Sequence, residues 1–295
     1  MPSKRPDALA AASGALSIAP GLTVCRLGFG AMRLTGPGVW GDPPDRAAAI
    51  KVLRTAVELG VEFIDTADSY GPFVAEEMIA EALYPYDGVT VATKGGLVRT
   101  GPGQWHPVGR PEYLRQCVEM SLRRLRTDTI TLYQLHRIDP QVPLCDQIGV
   151  LEDMRQEGKI AHIGLSQVTV RDIAEARLLA PIVSVQNRYN LVNRDSEPVL
   201  DYCAREGLTF IPWAPMGSGE LACSSGVLQA LASQIGVTPA QLAIGWLLHR
   251  SPNILPIPGT ASAEHLAQNM TAAALGLDER QFAAILEIDQ VHATV

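Results

Sequence analysis

The chain has 295 residues, 47% hydrophobic and 19% charged, which gives ample apolar surface for a large core and excludes a disordered chain. With 24 Lys+Arg against 31 Asp+Glu the formal net charge is −7, and no basic cluster is present, so the electrostatic footprint of a nucleic-acid binder is missing. No apolar run approaches the roughly 18 residues of a spanning helix, and the expectation is a cytoplasmic protein that binds neither membrane nor nucleic acid.

Residues 1–15 read as a flexible tail. Lys4 and Arg5 before the alanine run at 8–12 faintly imitate a signal peptide, but Asp7, Ser13 and Gly14 interrupt it and no strongly apolar stretch follows. Residues 16–24, with Pro20-Gly21 at their middle, predict a β-hairpin placed to plug one end of the main fold. Strands are then expected to end near 27–30, 63–65, 91–94, 132–136, 163–166, 185–187, 210–213 and 254–257. Helical periodicity lies between them. Ile50, Leu53 and Val57 form one stripe, and Leu114, Val118, Leu122 and Leu125 another; 146–157, 171–180 and 239–249 behave likewise.

Strands alternating with helices predict an α/β fold: one domain over 16–295, an eight-stranded parallel (β/α)8, or TIM, barrel. An open doubly wound sheet is the competing architecture, but its dinucleotide fingerprint is absent. Gly28-Phe29-Gly30 opens a G-x-G, yet Arg33 takes the third glycine position. The five cysteines are scattered without a C-x-x-C, so reduced thiols are expected and no metal site.

Reacting groups in such a barrel sit where strands end and loops begin. Asp65, Tyr70, Lys94 and His136 stand there, and alternation puts Thr90 and Ala92 on the face of Lys94, and Leu132 and Gln134 on that of His136. A lysine cation about 4 Å from a phenol would favour phenolate by roughly 4 kcal/mol, about three pKa units, at an effective dielectric near 20. Tyr70 would then act as a general acid, Asp65 would hold Lys94, and His136 would hydrogen-bond a bound carbonyl oxygen. Singly, each residue also has a structural reading: a helix cap, a loop lysine, a core histidine. Their occurrence at three successive strand ends favours a site. Residues 95–110 read as the longest structureless loop, in which Trp105 is a candidate for the substrate pocket; Trp40 is a weaker one. His162 and Trp246 read as core residues.

The run Asp65-Thr66-Ala67-Asp68-Ser69-Tyr70-Gly71 resembles the D-T-A-x-x-Y-G signature of the aldo-keto reductase superfamily. Thr93-Lys94, Leu132 to Arg137, Gly158-Lys159-Ile160 with Gly164-Leu165-Ser166, Val185-Gln186 with Tyr189-Asn190, and Ile257 to Thr260 with Asn269 are similar to its later segments, in order. The resemblance implies a catalytic tetrad of Asp65, Tyr70, Lys94 and His136 and a cofactor NADP(H), with NAD(H) left open. It implies cofactor contacts from Ser166 and Gln186 at the carboxamide, Trp213 on the nicotinamide, and Met32 and Arg33 in the first loop. Gly217 and Gly219 would lie at the pyrophosphate, and Thr260, His265 and Asn269 at the adenosine. Gln167 replaces a usual Asn, Ala214-Pro215-Met216 a usual Ser-Pro-Leu, Gly259 a lysine of some members and His265 a frequent arginine. A neutral imidazole offers one donor where a guanidinium offers a fork, so NADPH preference is expected to be weak. The implied activity is reduction of a small-molecule aldehyde or ketone, or oxidation of the alcohol. Two alternatives stay open: an NAD-preferring dehydrogenase for a sugar or aromatic alcohol, and a nicotinamide-binding regulatory subunit with little catalysis.

Overall fold

A 3-10 turn at Leu9–Ser13 is the first element of the computed structural model, which describes residues 9–217 and 226–292. Ala10 is fully buried and its N–H donates to Leu59 O at 3.1 Å, so the tail expected through residue 15 is packed structure from Leu9 onward. The small side chains of this alanine-rich stretch let it lie close against its neighbours. Residues 1–8 lie outside the described residues.

Strands β1 (Ala15–Ala19) and β2 (Leu22–Cys25) form the antiparallel hairpin, turning at Pro20-Gly21 with Gly21 at φ +79°. Ile18, Ala19, Leu22 and Val24 pack on Phe63, Ala92, Leu132, Ile211, Leu255 and Ile257, the apolar layer inside the main sheet. The hairpin therefore stoppers the sheet from within.

The main sheet is parallel and curled. Its strands β3 (Phe29–Gly30), β4 (Phe63–Asp65) and β5 (Thr90–Gly95) are followed in chain order by a short hairpin, β6 (Leu97–Gly101) with β7 (Gln104–Pro107). Then come β8 (Ile130–Leu135), β9 (Ile160–Ser166), β10 (Ile182–Gln186) and β11 (Thr209–Phe210). Neighbours run β3-β4-β5-β8-β9-β10-β11. Residues 254–258 meet both edges: Leu255 N–H donates to Phe210 O at 2.9 Å, and Gly28 N–H donates to Pro256 O at 2.9 Å. Seven strands with this bridging segment fit the expected (β/α)8 barrel.

Helices α1 (Arg46–Glu58), α2 (Val74–Leu83), α3 (Pro111–Leu125), α4 (Leu144–Gln156), α5 (Val170–Arg177) and α6 (Glu197–Glu206) return the chain between strands. They are followed by α7 (Val227–Ile235), α8 (Pro239–Arg250), α9 (Ala263–Thr271) and α10 (Glu279–His292). Their starts are written in the sequence. Asp45 accepts from Ala48 N–H, Thr169 and Asp172 form a capping box, and Thr238 and Gln241 form another ahead of Pro239. Trp246 stacks on Tyr189 and Phe282, joining α8 and α10 to the sheet's outer face. No single helix among the described residues is long and apolar enough to cross a membrane.

A second expectation fails here. The stretch 95–110 is not structureless: β6 and β7 pair around Pro102-Gly103, with Val98 opposite His106. Its glycines mask a short alternating pattern on either side of an ordinary turn.

Candidate active site

Lys94 lies at the inward face of β5, fully buried, and its ammonium has three partners for three protons. It donates to Asp65 Oδ2 at 2.6 Å, to Thr66 O at 2.8 Å and to the Tyr70 hydroxyl oxygen at 3.2 Å. The other carboxylate oxygen, Oδ1 of Asp65, accepts from Gln186 Nε2 at 2.8 Å and Gln134 Nε2 at 3.2 Å. Strand register brings these groups together: Asp65 pairs with Ala92 across β4 and β5, and Lys94 with Gln134 across β5 and β8. The next residue must be small, because a Cβ on Gly95 would collide with the Tyr133 hydroxyl behind the sheet.

His136 follows β8 and is nearly buried, with Nδ1 3.2 Å from Ser69 Oγ. Its ring meets Tyr70 edge to face at 5.9 Å, and Trp105 meets both Tyr70 and His136 at 6.4 Å. Asp65, Tyr70, Lys94 and His136 are thus one contiguous cluster, with Trp105 from the β6–β7 hairpin at its edge. Trp40 stands farther out, 36% exposed, beneath the Arg99 guanidinium rather than against Tyr70.

The electrostatics differ from the sequence argument at one point. Burial pushes the Tyr70 phenol up from its ordinary value, and the pull of Lys94 in the other direction does not overcome it. Burial also opposes charge on Lys94, but Asp65 and Tyr70 outweigh it and raise the ammonium's pKa. Desolvation, with Lys94, Arg137 and Arg99 nearby, holds His136 well below its ordinary value. The cluster at neutral pH is therefore a phenol, an ammonium and a neutral imidazole.

The described residues among those implied for a cofactor fall at or after strand ends in chain order. Ser166 and Gln186 are buried at the ends of β9 and β10. Trp213 Nε1 donates to Gln167 Oε1 at 2.9 Å, and Gln167 itself is exposed with φ +56°. Gly217 is buried with φ +56°, while Gly219 lies outside the described residues. Met32 and exposed Arg33 sit in a 3-10 turn, Ala31–Leu34. Gly259 has no room for a side chain, since a Cβ would lie 2.5 Å from Gly30 O. Thr260 accepts from Ser262 N–H, Ser262 caps α9, His265 is exposed, and Asn269 is 4% exposed. No group of His, Cys, Asp and Glu that could hold a metal occurs among the described residues.

Sequence reasoning missed three contributors. Ser69 was hidden inside the signature as a variable position. Arg99 donates to the carbonyls of Val39, Ser69, Gly38, Gly101 and Gln104 and lies 3.5 Å over the Trp105 ring, tying the hairpin to the loops beside Tyr70. Arg137 donates to His136 O at 2.6 Å and Ser166 Oγ at 2.9 Å. Its place directly after His136 was the available signal.

Known proteins resemble this chain over most of its length. The model of the aldo/keto reductase family fits residues 26–290. An uncharacterized oxidoreductase of Schizosaccharomyces pombe is 53% identical over 266 residues, 90% of this chain and 87% of that protein. Pyridoxine 4-dehydrogenase of Escherichia coli is 46% identical over 264 residues, 87% of this chain and 92% of that protein. Among solved structures, an aldo-keto reductase from Klebsiella pneumoniae in complex with NADPH superposes with a TM-score of 0.79 at 26% identity, covering 93% and 94% of the two chains. An oxidoreductase by this likeness and a curled parallel barrel by its sheet, the chain belongs to the aldo/keto reductase family.

Proposed function

We propose that the protein reduces an aldehyde or ketone to an alcohol with an NAD(P)H cofactor, Tyr70 being the proton donor. The observation that carries this reading is the hydrogen bond from Lys94 Nζ to the Tyr70 oxygen. A phenol oxygen that already accepts from lysine must send its own hydrogen elsewhere, and here the acceptor would be a substrate carbonyl oxygen. Burial keeps that hydrogen in place until it is needed. Once it leaves, the phenolate has an ammonium beside it in a site that excludes water, the arrangement in which a fixed charge acts most strongly. Asp65 keeps Lys94 charged and fixed. In the tautomer in which Ser69 Oγ, 3.2 Å away, donates to Nδ1, neutral His136 would keep a hydrogen on Nε2 for the same carbonyl oxygen.

A bound nicotinamide cofactor would supply hydride to the carbonyl carbon. The residues present fit such a group. Ser166 Oγ accepts from Arg137 and retains its hydrogen for an amide oxygen, and Gln186 lies beside it. Trp213 is pinned by Gln167 where a flat ring would stack. Gly217, buried with φ +56°, would let the backbone approach the pyrophosphate. At the far end the Asn269 carboxamide has no hydrogen-bond partner among the described residues, although the residue is 4% exposed. Thr260 and His265 would meet the ribose phosphate at the start of α9, with Arg33 beside Gly259 and Met32 flanking. The complex of the Klebsiella relative with NADPH favours NADP(H).

The likeness to pyridoxine 4-dehydrogenase supports a second direction, oxidation of a primary alcohol, in which the same residues would run in reverse. NADPH consumption with a panel of aldehydes and ketones, repeated with NADH, tests the reading. Turnover with at least one carbonyl is expected, and its absence across the panel in folded, NADPH-binding protein would overturn it.

A further inference from the structure

Two arginines, Arg99 and Arg137, lie within electrostatic range of His136, and neither forms an ion pair with a carboxylate among the described residues. Asp65, the carboxylate at the centre, is taken by Lys94. The cluster therefore carries excess positive charge inside a protein whose formal net charge is −7. The two arginines differ in what they can still do. Arg99 has all three nitrogens engaged with backbone carbonyls and one face on Trp105. It contributes field and architecture, but no free donor.

Arg137 is different. Its Nη1 alone makes both of its hydrogen bonds, to His136 O and Ser166 Oγ. These two contacts fix the guanidinium beside His136, and Nη2 and Nε have no partner among the described residues. Neither atom is sealed away from solvent, since neither is among the buried polar atoms lacking a partner. Burial lowers the guanidinium's pKa while the Tyr70 phenol works against it, so the cation is largely desolvated and within electrostatic range of the reacting phenol. A half-buried guanidinium with a fixed plane and an open Nη2–Nε edge presents two parallel donors, the geometry that matches a carboxylate.

We propose that the substrate carries a carboxylate near its carbonyl group, and that Arg137 binds it through the Nη2–Nε edge. This rests on the reading of the site as a carbonyl reductase and adds the class of carbonyl compound. Specificity would come from both sides. A carboxylate compensates a buried cation, whereas a neutral substrate of the same shape leaves that cation desolvated and unpaired.

The test compares 4-carboxybenzaldehyde with its methyl ester, methyl 4-formylbenzoate, which keeps the aldehyde and removes the charge. Wild-type protein is expected to prefer the acid by at least about tenfold in kcat/KM, chiefly through KM. Arg137→Met should collapse the acid-to-ester ratio by about that factor, and Arg137→Lys should restore only part of it, a point charge having no fork. A wild-type ratio near one, or an Arg137→Met variant that weakens NADPH binding and leaves the ratio unchanged, would overturn the proposal. If neither aldehyde turns over, the reductase reading fails separately. Calorimetric titration of benzoate into wild type and Arg137→Met, with NADPH present, then decides the carboxylate site, and equal or absent binding in both would sink it.

Discussion

Asp68 sits three residues from Asp65 but on the other side of the sheet, fully buried near Cys117 and Glu76 with one carboxylate oxygen unpartnered. Burial first, and the nearby Glu76 charge second, push its pKa up from 3.8 to about 7. Below about pH 3.8 both folded and unfolded chains hold this proton. Between 3.8 and 7 only the folded chain does, so stability falls as pH rises through that window and the loss is complete above it. At about 1.4 kcal/mol per unit, the ceiling is about 4 kcal/mol. Asp68→Asn should therefore raise urea-unfolding stability at pH 8, and by less than half as much at pH 5. An equal change at both pH values would mean the carboxyl is not held protonated. The same kind of burial explains why the acid strength of Tyr70 was misjudged from sequence. Spacing revealed its lysine partner, but the desolvation that outweighs that partner comes from residues distant in the chain.

At the scale of elements, the ends of strands were legible and the connections were not. Phe63–Asp65, Thr90–Gly95 and Ile130–Leu135 end where their apolar alternation meets a polar residue, which is why Asp65, Lys94 and His136 could be placed together. The β6–β7 hairpin escaped because each strand is short and its glycines look like loop. Arg99 fastens that hairpin through carbonyls of segments distant in the chain, which sequence spacing does not reveal. The turn around Gly259 shows the same division. The sequence marks Gly259 as a departure from a family lysine, but only the fold shows that Gly30 O fills the space of its side chain. Gly259→Lys should therefore destabilise the protein, by about 1–3 kcal/mol in denaturant unfolding, without raising NADPH preference. His265→Arg, on an exposed helical position, should raise the NADPH-to-NADH ratio of kcat/KM at no such cost. A lysine variant that folds as well as wild type and prefers NADPH more strongly would show that the turn is looser than this.

The whole molecule is organised from the inside outward. The N-terminal hairpin fills one end of the curled sheet, an apolar layer rises through it, and the polar cluster of Asp65, Lys94 and Gln134 closes that layer at the strand ends. Period-two alternation made this layering readable, since Ala92 and Lys94, like Leu132 and Gln134, share one face. The hairpin was legible too, from its Pro20-Gly21 turn, but its inward packing partners are scattered along the chain from Phe63 to Ile257. Ile18 is 4% exposed and belongs to that layer, so Ile18→Ala should cost about 2–4 kcal/mol in denaturant unfolding. A cost below about 0.5 kcal/mol would mean the hairpin is not part of the cooperative core. The N-terminal turn at Leu9–Ser13 was the element least visible in advance, because alanine and serine carry no periodic signal and are held there by tertiary contact.

Tyr70, held protonated by burial and met by Lys94, is the proposed donor of the proton to the substrate. The most direct measurement is single-turnover NADPH oxidation by Tyr70→Phe beside its NADPH affinity by fluorescence titration. The rate should fall by about two to four orders of magnitude, with the dissociation constant changed by less than about threefold. A variant that oxidises NADPH within about tenfold of wild type, with affinity unchanged, would contradict it.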